Sequence, residues 1–260
     1  RPGPPIPGRR GWFGAALLDG AIYAIGGKRI RTKAEKQDGD NSHFAIRDSV
    51  ERLDLASGTW SAMPPLCRPR AGLLATVCRD RIYAIGGNTM DPADDNPYLD
   101  LVEVFDPALG RWERARPLPF GIQGPALATV DDRIYLSAGV GVVDGGKGTT
   151  SHTFVYDPEA DSWEELQPLP TGRCDPGTVA AGRRIYTFGG HGNGGYHDVV
   201  EVYDVDADAW TTETPMPEKR AWMGCVSIAG RIFVMGGGLR LTDDSKTYKW
   251  FDELHEFVPA

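Results

Sequence analysis

The chain has 260 residues, and its 36 acidic side chains outnumber 28 basic ones to give a formal net charge of −8. That balance argues against a nucleic-acid partner, which calls for a basic face, and no apolar run approaches the ~18 residues of a membrane-crossing helix. With 33 Gly and 20 Pro the chain suits short strands joined by tight turns rather than helices.

In chain order, Pro5, Arg10 and Trp12 precede the first recurring segment, Ile22-Tyr23-Ala24-Ile25-Gly26-Gly27. A long loop, residues 28–48, begins basic with Lys28, Arg29, Arg31, Lys33 and Lys36 and turns acidic at Asp38 and Asp40. Leu53-Asp54, Trp60, Pro65 and Arg70 follow. The next unit shows the strand pattern most clearly. Residues 72–78 are small and apolar, as an inner strand requires. Arg81 to Ile85 alternates, as a second strand should, and ends in Gly86-Gly87, where positive φ and close backbone approach exclude a Cβ. A loop with Asp91, Asp94 and Asp95 leads to a third strand at 101–105, then Asp106, and a fourth at 111–114 bearing Trp112.

The unit recurs roughly every 50 residues, the signature of repeat architecture. Ile134-Tyr135-Leu136-Ser137-Ala138-Gly139 is followed by Tyr156-Asp157, Trp163 and Pro168. Ile185-Tyr186-Thr187-Phe188-Gly189-Gly190 is followed by Tyr203-Asp204, Trp210 and Pro215. Ile232-Phe233-Val234-Met235-Gly236-Gly237 leads, past a loop holding Asp243 and Asp244, to a third strand at 253–257 with no Trp strand after it. Arg81, Arg133, Arg184 and Arg231 share one second-strand position, and Glu51, Glu103 and Glu201 share one third-strand position. Neighbouring strands are expected to set these two rows opposite each other.

This aromatic-x-x-Gly-Gly, aromatic-Asp, Trp pattern resembles the kelch repeat over essentially the whole chain. The resemblance implies an all-β, kelch-type β-propeller forming a single domain over 1–260. It implies five four-stranded blades, near 11–66, 71–118, 124–169, 175–216, and 222–260 completed by 1–8. Pro5 and Arg10 match the register of Pro65 and Arg70, so the first residues are expected to be the tail of a strand beginning upstream of Arg1. Pairing of the N- and C-termini then closes the ring and removes exposed edges; the alternative is part of a six-bladed ring. The chain lacks an initiator Met and is read as part of a longer one.

In propellers of this family the loops from fourth to first strand and from second to third strand gather around one channel mouth. The first set carries Arg10, Arg70, Arg173 and Arg220 at one repeat position, with Ile122 the exception. Two residues on come Trp12, Gly72, Gly124, Asp175 and Trp222. Guanidiniums ringing an opening beside indoles are suited to a carboxylate or an acidic peptide. The alternative is that the arginines hydrogen-bond loop carbonyls of the next blade. The second set adds His43, His191 and His197, with His152 nearby.

No catalytic motif stands out, and neither cofactor nor metal is expected. The stretch 141–148 has the outline of a phosphate-binding loop but carries Gly148 where Ser or Thr should stand, with a strand to follow. Asp38-Gly39-Asp40-Asn41-Ser42 lacks the closing Glu of a calcium loop. Cys67, Cys78, Cys174 and Cys225 show neither zinc nor disulfide spacing and are read as separate reduced thiols. With no Asn-x-Ser/Thr sequon, this points to the cytoplasm. The iron motif of kelch-type plant specifier proteins is absent. Most kelch proteins are interaction domains, so the resemblance implies a non-enzymatic adaptor holding a protein or acidic peptide on its loop face. The alternative it implies is an enzyme like the bacterial kelch propellers that epimerise or anomerise acidic sugars such as sialic acid, with the arginines on the carboxylate.

Overall fold

The computed structural model describes residues 3–259 apart from 33, 34, 36–42, 92, 93, 95, 144 and 242–246. Lys33, Lys36, Asp38 to Ser42, Asp95, Asp144, Asp243 and Asp244 therefore lie outside the described residues. Those described form β-strands and turns with no α-helix, in two compact units, Arg1–Gln123 and Gly124–Ala260.

The first unit holds two antiparallel sheets of four strands. One runs Gly14–Leu18, Ala21–Ile25, Val50–Asp54 and Thr59–Met63, and the other Leu74–Cys78, Arg81–Ile85, Val102–Asp106 and Arg111–Arg114. Their first strands pack side by side. Gly14 faces Ala75 so closely that a Cβ on it would sit 3.1 Å from the alanine methyl. The second unit holds two more such sheets, Ala126–Val130, Arg133–Ser137, Thr153–Asp157, Ser162–Leu166 and Gly177–Ala181, Arg184–Phe188, Val200–Asp204, Ala209–Glu213. A three-stranded sheet follows, Gly224–Ile228, Arg231–Met235 and Leu254–Phe257, with no fourth strand among the described residues. First strands again stack, Ala126–Val130 on Gly177–Ala181 and that on Gly224–Ile228.

The registers explain the repeat motif. Ile82 faces Phe105, which faces Trp112; Ile134, Tyr156 and Trp163 do the same, as do Ile185, Tyr203 and Trp210. The rings meet at 5.3, 4.9 and 5.1 Å between centroids, the tilted contact that aromatic quadrupoles favour. Each indole N–H also needs an acceptor. Trp112 donates to the Pro64 carbonyl at 2.9 Å and Trp210 to Gln167 at 2.9 Å, residues just ahead of the periodic prolines Pro65 and Pro168. Trp60 likewise donates to Pro4 at 3.3 Å. Residues 3–8 form no strand. The Asp after the third-strand aromatic closes the next turn: Asp106 Oδ1 accepts from Ala108 N at 2.9 Å, and Asp204 Oδ1 from Ala207 N at 3.1 Å.

The paired glycines join one repeat to the next. Gly27 N donates to the Arg70 carbonyl at 2.8 Å and Gly190 N to that of Arg220 at 2.9 Å. A Cβ on Gly26, φ +63°, would stand 2.7 Å from the Arg70 oxygen. The four described second-to-third loop hairpins, Lys28–Ile30 with Phe44–Ile46, Val140–Val143 with Gly146–Thr149, His191–Gly192 with Gly195–Tyr196, and Gly238–Arg240 with Tyr248–Trp250, start immediately after the second residue of this motif.

Candidate functional site

The arginine row faces inward. Arg70, Arg173 and Arg220 are almost fully buried, at 0%, 0% and 1% exposure, and the side chain of Arg10 is covered as well. Arg70 Nη1 lies 2.6 Å from Glu103 Oε2 while Nη2 donates to the Ala84 carbonyl at 3.2 Å. Arg173 repeats this with Glu201 and the Thr187 carbonyl, and Arg10 with Glu51 and the Gly26 carbonyl. Burial pulls the pKa of Arg70 and Arg173 below the ordinary arginine value, and the charges of Glu103 and Glu201 oppose the pull. Charges so enclosed must be paired, because an uncompensated one loses its hydration. The carboxylate-gripping role expected for Arg10, Arg70, Arg173 and Arg220 is therefore corrected: their forks are occupied by internal carboxylates and carbonyls. Arg220 is the loosest of the four: it reaches Glu253 at 3.4 Å, His255 at 3.3 Å and the Gly236 carbonyl at 3.4 Å, with its guanidinium 4.0 Å over the Phe251 ring.

The pairing expected between the charge rows is corrected too. Glu51, Glu103 and Glu201 take the loop arginines. Arg81, Arg133 and Arg184 instead reach Asp106, Asp157 and Asp204 at 2.9, 3.1 and 3.7 Å, and Arg231 reaches Glu256. In the third repeat both positions of the buried pair are apolar, Ile122 and Phe154.

Two residues beyond the arginines the backbone is left-handed in all five repeats. Trp12, Asp175 and Trp222 have φ of +54°, +53° and +61°, beside Gly72 at +65° and Gly124 at +58°. Glycine is the default there. Two tryptophans in that region cost of order 1–3 kcal/mol each, and such strain collects at functional positions. The three non-glycine residues fall in two side-chain clusters, Trp12 in one and Asp175 with Trp222 in the other.

In the first unit Trp12 lies under Lys28, whose Nζ is 3.2 Å from the indole centroid and 4.1 Å from the Phe44 ring. The two aromatic residues line an open pocket of about 700 Å³ with Arg9, Arg29, Arg47 and Thr32, and among the described residues no acidic side chain lines it. Arg29 is held by Glu35, whose carboxyl is pulled down to about 2 by that guanidinium and by Thr32. Arg47 is different. Burial, then the charges of Arg10 and Arg29, push its pKa down, and its Nε is buried without a partner among the described residues. His43 is exposed and does not line this pocket, although its carbonyl accepts from Arg31 N at 3.0 Å.

In the second unit Cys174 and His191 face each other through an isolated bridge, with backbone hydrogen bonds of 2.8 and 2.9 Å in the two directions. His191 Nε2 lies 3.1 Å from Asp175 Oδ2, and Cys174 Sγ lies 3.4 Å from the same nitrogen. The imidazole packs 5.4 Å from the rings of Tyr196 and Trp222. Trp222 also meets Tyr248 and Trp250 at 6.0 Å, and Trp250 is 66% exposed. His197 stands apart from this group. Its Nε2 is buried without a partner among the described residues, and burial, then Arg173 and Lys219, lower its pKa. Of the sequence candidates, Trp12, Asp175, Trp222 and His191 sit in side-chain clusters. Lys28, Arg47, Cys174, Tyr196 and Trp250 are additions: Lys28, Tyr196 and Trp250 sit on loop hairpins, Cys174 meets His191 through an isolated bridge, and Arg47 follows the hairpin strand Phe44–Ile46, placements that spacing does not reveal.

Comparison with known proteins gives the same architecture. A family model described as the KLHDC2/KLHL20/DRC7 Kelch-repeats domain matches residues 13–237. Mouse Kelch-like protein 35 is 28% identical over 177 residues, covering 66% of this chain and 26% of its own length. Human Kelch repeat and BTB domain-containing protein 12 is 25% identical over 194 residues, covering 69% and 29%. The chain thus spans about a quarter of the length of such relatives. A solved structure of YjhT superposes with a TM-score of 0.74 over 96% of this chain and 81% of that one, at 17% identity, a likeness of fold alone.

Proposed function

This chain belongs to the kelch-repeat family, and on that premise we propose that it is a binding module whose loops hold an acidic segment of a partner protein. The observation that carries the reading is the pocket of the first unit. It combines an aromatic floor, Trp12 and Phe44, with Lys28 and an Arg47 that has no acidic counterpart among the described residues. Aromatic and arginine side chains at the centre of a surface supply most interface energy, and an unpaired guanidinium favours carboxylate as its complement. The rival reading, an enzyme acting on a small acidic sugar, calls for a free guanidinium converging with a proton-moving group. Beside His191 and Asp175 the nearest repeat arginine, Arg173, is already engaged by Glu201, so support falls to binding.

The finer architecture belongs to the same proposal. In that reading the chain makes five blades closed by pairing of its N- and C-termini, the alternative being part of a six-bladed ring. A cavity of about 210 Å³ lined by Thr214, Pro215 and Phe257 lies where the other repeats put their indole and its carbonyl acceptor. The free cysteines fit a reducing compartment, and a cytoplasmic setting is part of the reading. No helix of the described residues is long and apolar enough to cross a membrane.

The test is fluorescence polarisation with labelled peptides of matched length that are acidic, neutral or basic. The acidic pool should bind, with affinity falling as salt rises, and Arg47→Ala should weaken it at least tenfold. Equal binding of all three pools, or no effect of Arg47→Ala, would reject the pocket as the site.

A further inference from the structure

We infer that Cys174, Asp175 and His191 form a site for one zinc-like divalent cation in the loop cluster of the second unit, leaving a fourth coordination position for solvent or a bound group. This inference does not depend on the peptide reading, which concerns the first unit.

The argument begins with how the three groups face one another. In a proton relay, nucleophile, base and acid run in series, with the two ring nitrogens of the base taking one partner each. Here Asp175 Oδ2 and Cys174 Sγ both approach the same ring nitrogen, His191 Nε2, at 3.1 and 3.4 Å, the sulfur being also 3.4 Å from the His191 carbonyl. All three ligand atoms fall within 4.8 Å of one another. Groups arranged in series pass a proton; groups that converge enclose a point. Zinc bonds of about 2.3 Å to sulfur and 2.0–2.2 Å to nitrogen and oxygen, at tetrahedral angles, separate such ligands by roughly 3.3–3.6 Å. The two close distances are already near that value, and the sulfur and the carboxylate oxygen lie within 4.8 Å of each other. Sγ is also 3.6 Å from Nδ1, so the sulfur lies over the ring, and a χ2 rotation of His191 turns its lone pair toward the shared point.

The backbone prepares the three positions. The reciprocal hydrogen bonds of the bridge fix Cys174 opposite His191. Asp175 is held in a left-handed conformation, and its other carboxylate oxygen is packed where a Cβ on Gly124 would stand 2.3 Å away. Thiolate, imidazole and carboxylate together form a borderline-soft donor set that suits zinc rather than calcium or magnesium. On binding, the S–H bond breaks, the sulfur–metal bond forms with the sulfur pair, and the proton leaves to solvent. Trp222 and Tyr196 flank the imidazole, which gives the fourth position an aromatic wall.

The experiment uses the whole chain after chelator dialysis, titrated with Zn²⁺ against a chromophoric chelator and separately with Co²⁺. The expected result is one equivalent bound, with Kd of about 1 μM or tighter, and a sulfur-to-cobalt charge-transfer band. Cys174→Ser should remove the band. Asp175→Asn and His191→Gln should each weaken Zn²⁺ at least tenfold, while Cys67→Ser, at an exposed thiol, binds as the parent does. Should Cys174→Ser fail to fold, His191→Gln decides, because its side chain is 31% exposed. Failure to bind an equivalent at about 100 μM free Zn²⁺ would overturn the assignment, as would parental affinity in the folded His191→Gln variant.

Discussion

Arg173 and Asp175, or Arg220 and Trp222, leave the same loop two residues apart and end in opposite environments. The arginines point inward, lose their water and spend their donors on a glutamate and a carbonyl of the same repeat. The residues two places on point outward from a left-handed backbone and gather ring and charge partners that differ between repeats. The difference shows what repetition means in such a chain. A side chain that recurs with its partner holds the unit together. A side chain that replaces glycine at a position made for glycine is retained for what it touches.

The largest expected effect lies on the inward side. Glu103→Ala leaves Arg70 buried without its counter-charge and should cost about 3–5 kcal/mol in denaturant unfolding. The third repeat, with Ile122 and Phe154 at the two positions, indicates how to offset the loss. Arg70→Ile combined with Glu103→Phe should recover more than half of it. Recovery should be incomplete, because Glu103 Oε1 also accepts the Cys67 N–H at 2.8 Å. If the double variant is less stable than either single one, the pair is more than a replaceable clamp. On the outward side the sign of the result changes. Trp12→Gly relieves a strained φ while giving up a half-exposed ring, so stability should move by no more than about 1 kcal/mol, while acidic-peptide affinity falls at least tenfold. A large stability loss without a binding effect would place Trp12 with the scaffold. Arg47→Ala should be smaller still in stability, neutral or slightly favourable, since burial and the charges of Arg10 and Arg29 already oppose its cation. Parallel denaturant curves and binding isotherms of the two variants check both.

The scaffold was legible because its signals are local. Ile82, Tyr83 and Gly86-Gly87 lie within one strand and its turn, and the Pro five residues after each Trp, as Pro65 after Trp60, was visible as spacing, whereas the indole of the next repeat donating to the carbonyl ahead of that Pro was not. The arginine row was legible in its spacing but not its direction, since spacing does not tell an inward guanidinium from an outward one. The Glu51, Glu103 and Glu201 row was the available clue, yet alternation along the strand left two partners in reach. The left-handed position was visible as Gly72 and Gly124 alternating with Trp12, Asp175 and Trp222, but its φ was not. Cys174 and His191 are 17 residues apart, and only the folding back of the second strand and its hairpin sets them face to face.

His197 lies where the two kinds of position meet, and its effect should be the smallest. Its backbone N–H donates to the Gly190 carbonyl and its own carbonyl accepts from Arg220 N, so the peptide is part of the scaffold. Its ring is half-buried, and burial followed by the positive charge of Arg173 holds its pKa below the ordinary histidine value of 6.5. The unfolded chain therefore binds this proton more readily than the folded one. Well above pH 6.5 the ring is neutral in both states and stability is at its full value. As pH falls below that value the unfolded state protonates first, so stability is lost progressively. Unfolding curves between pH 5 and 7 should show that slope in the parent chain, and His197→Gln should flatten it. A slope that survives the substitution would belong to another group, and the ring of His197 would then contribute no pH dependence to the fold.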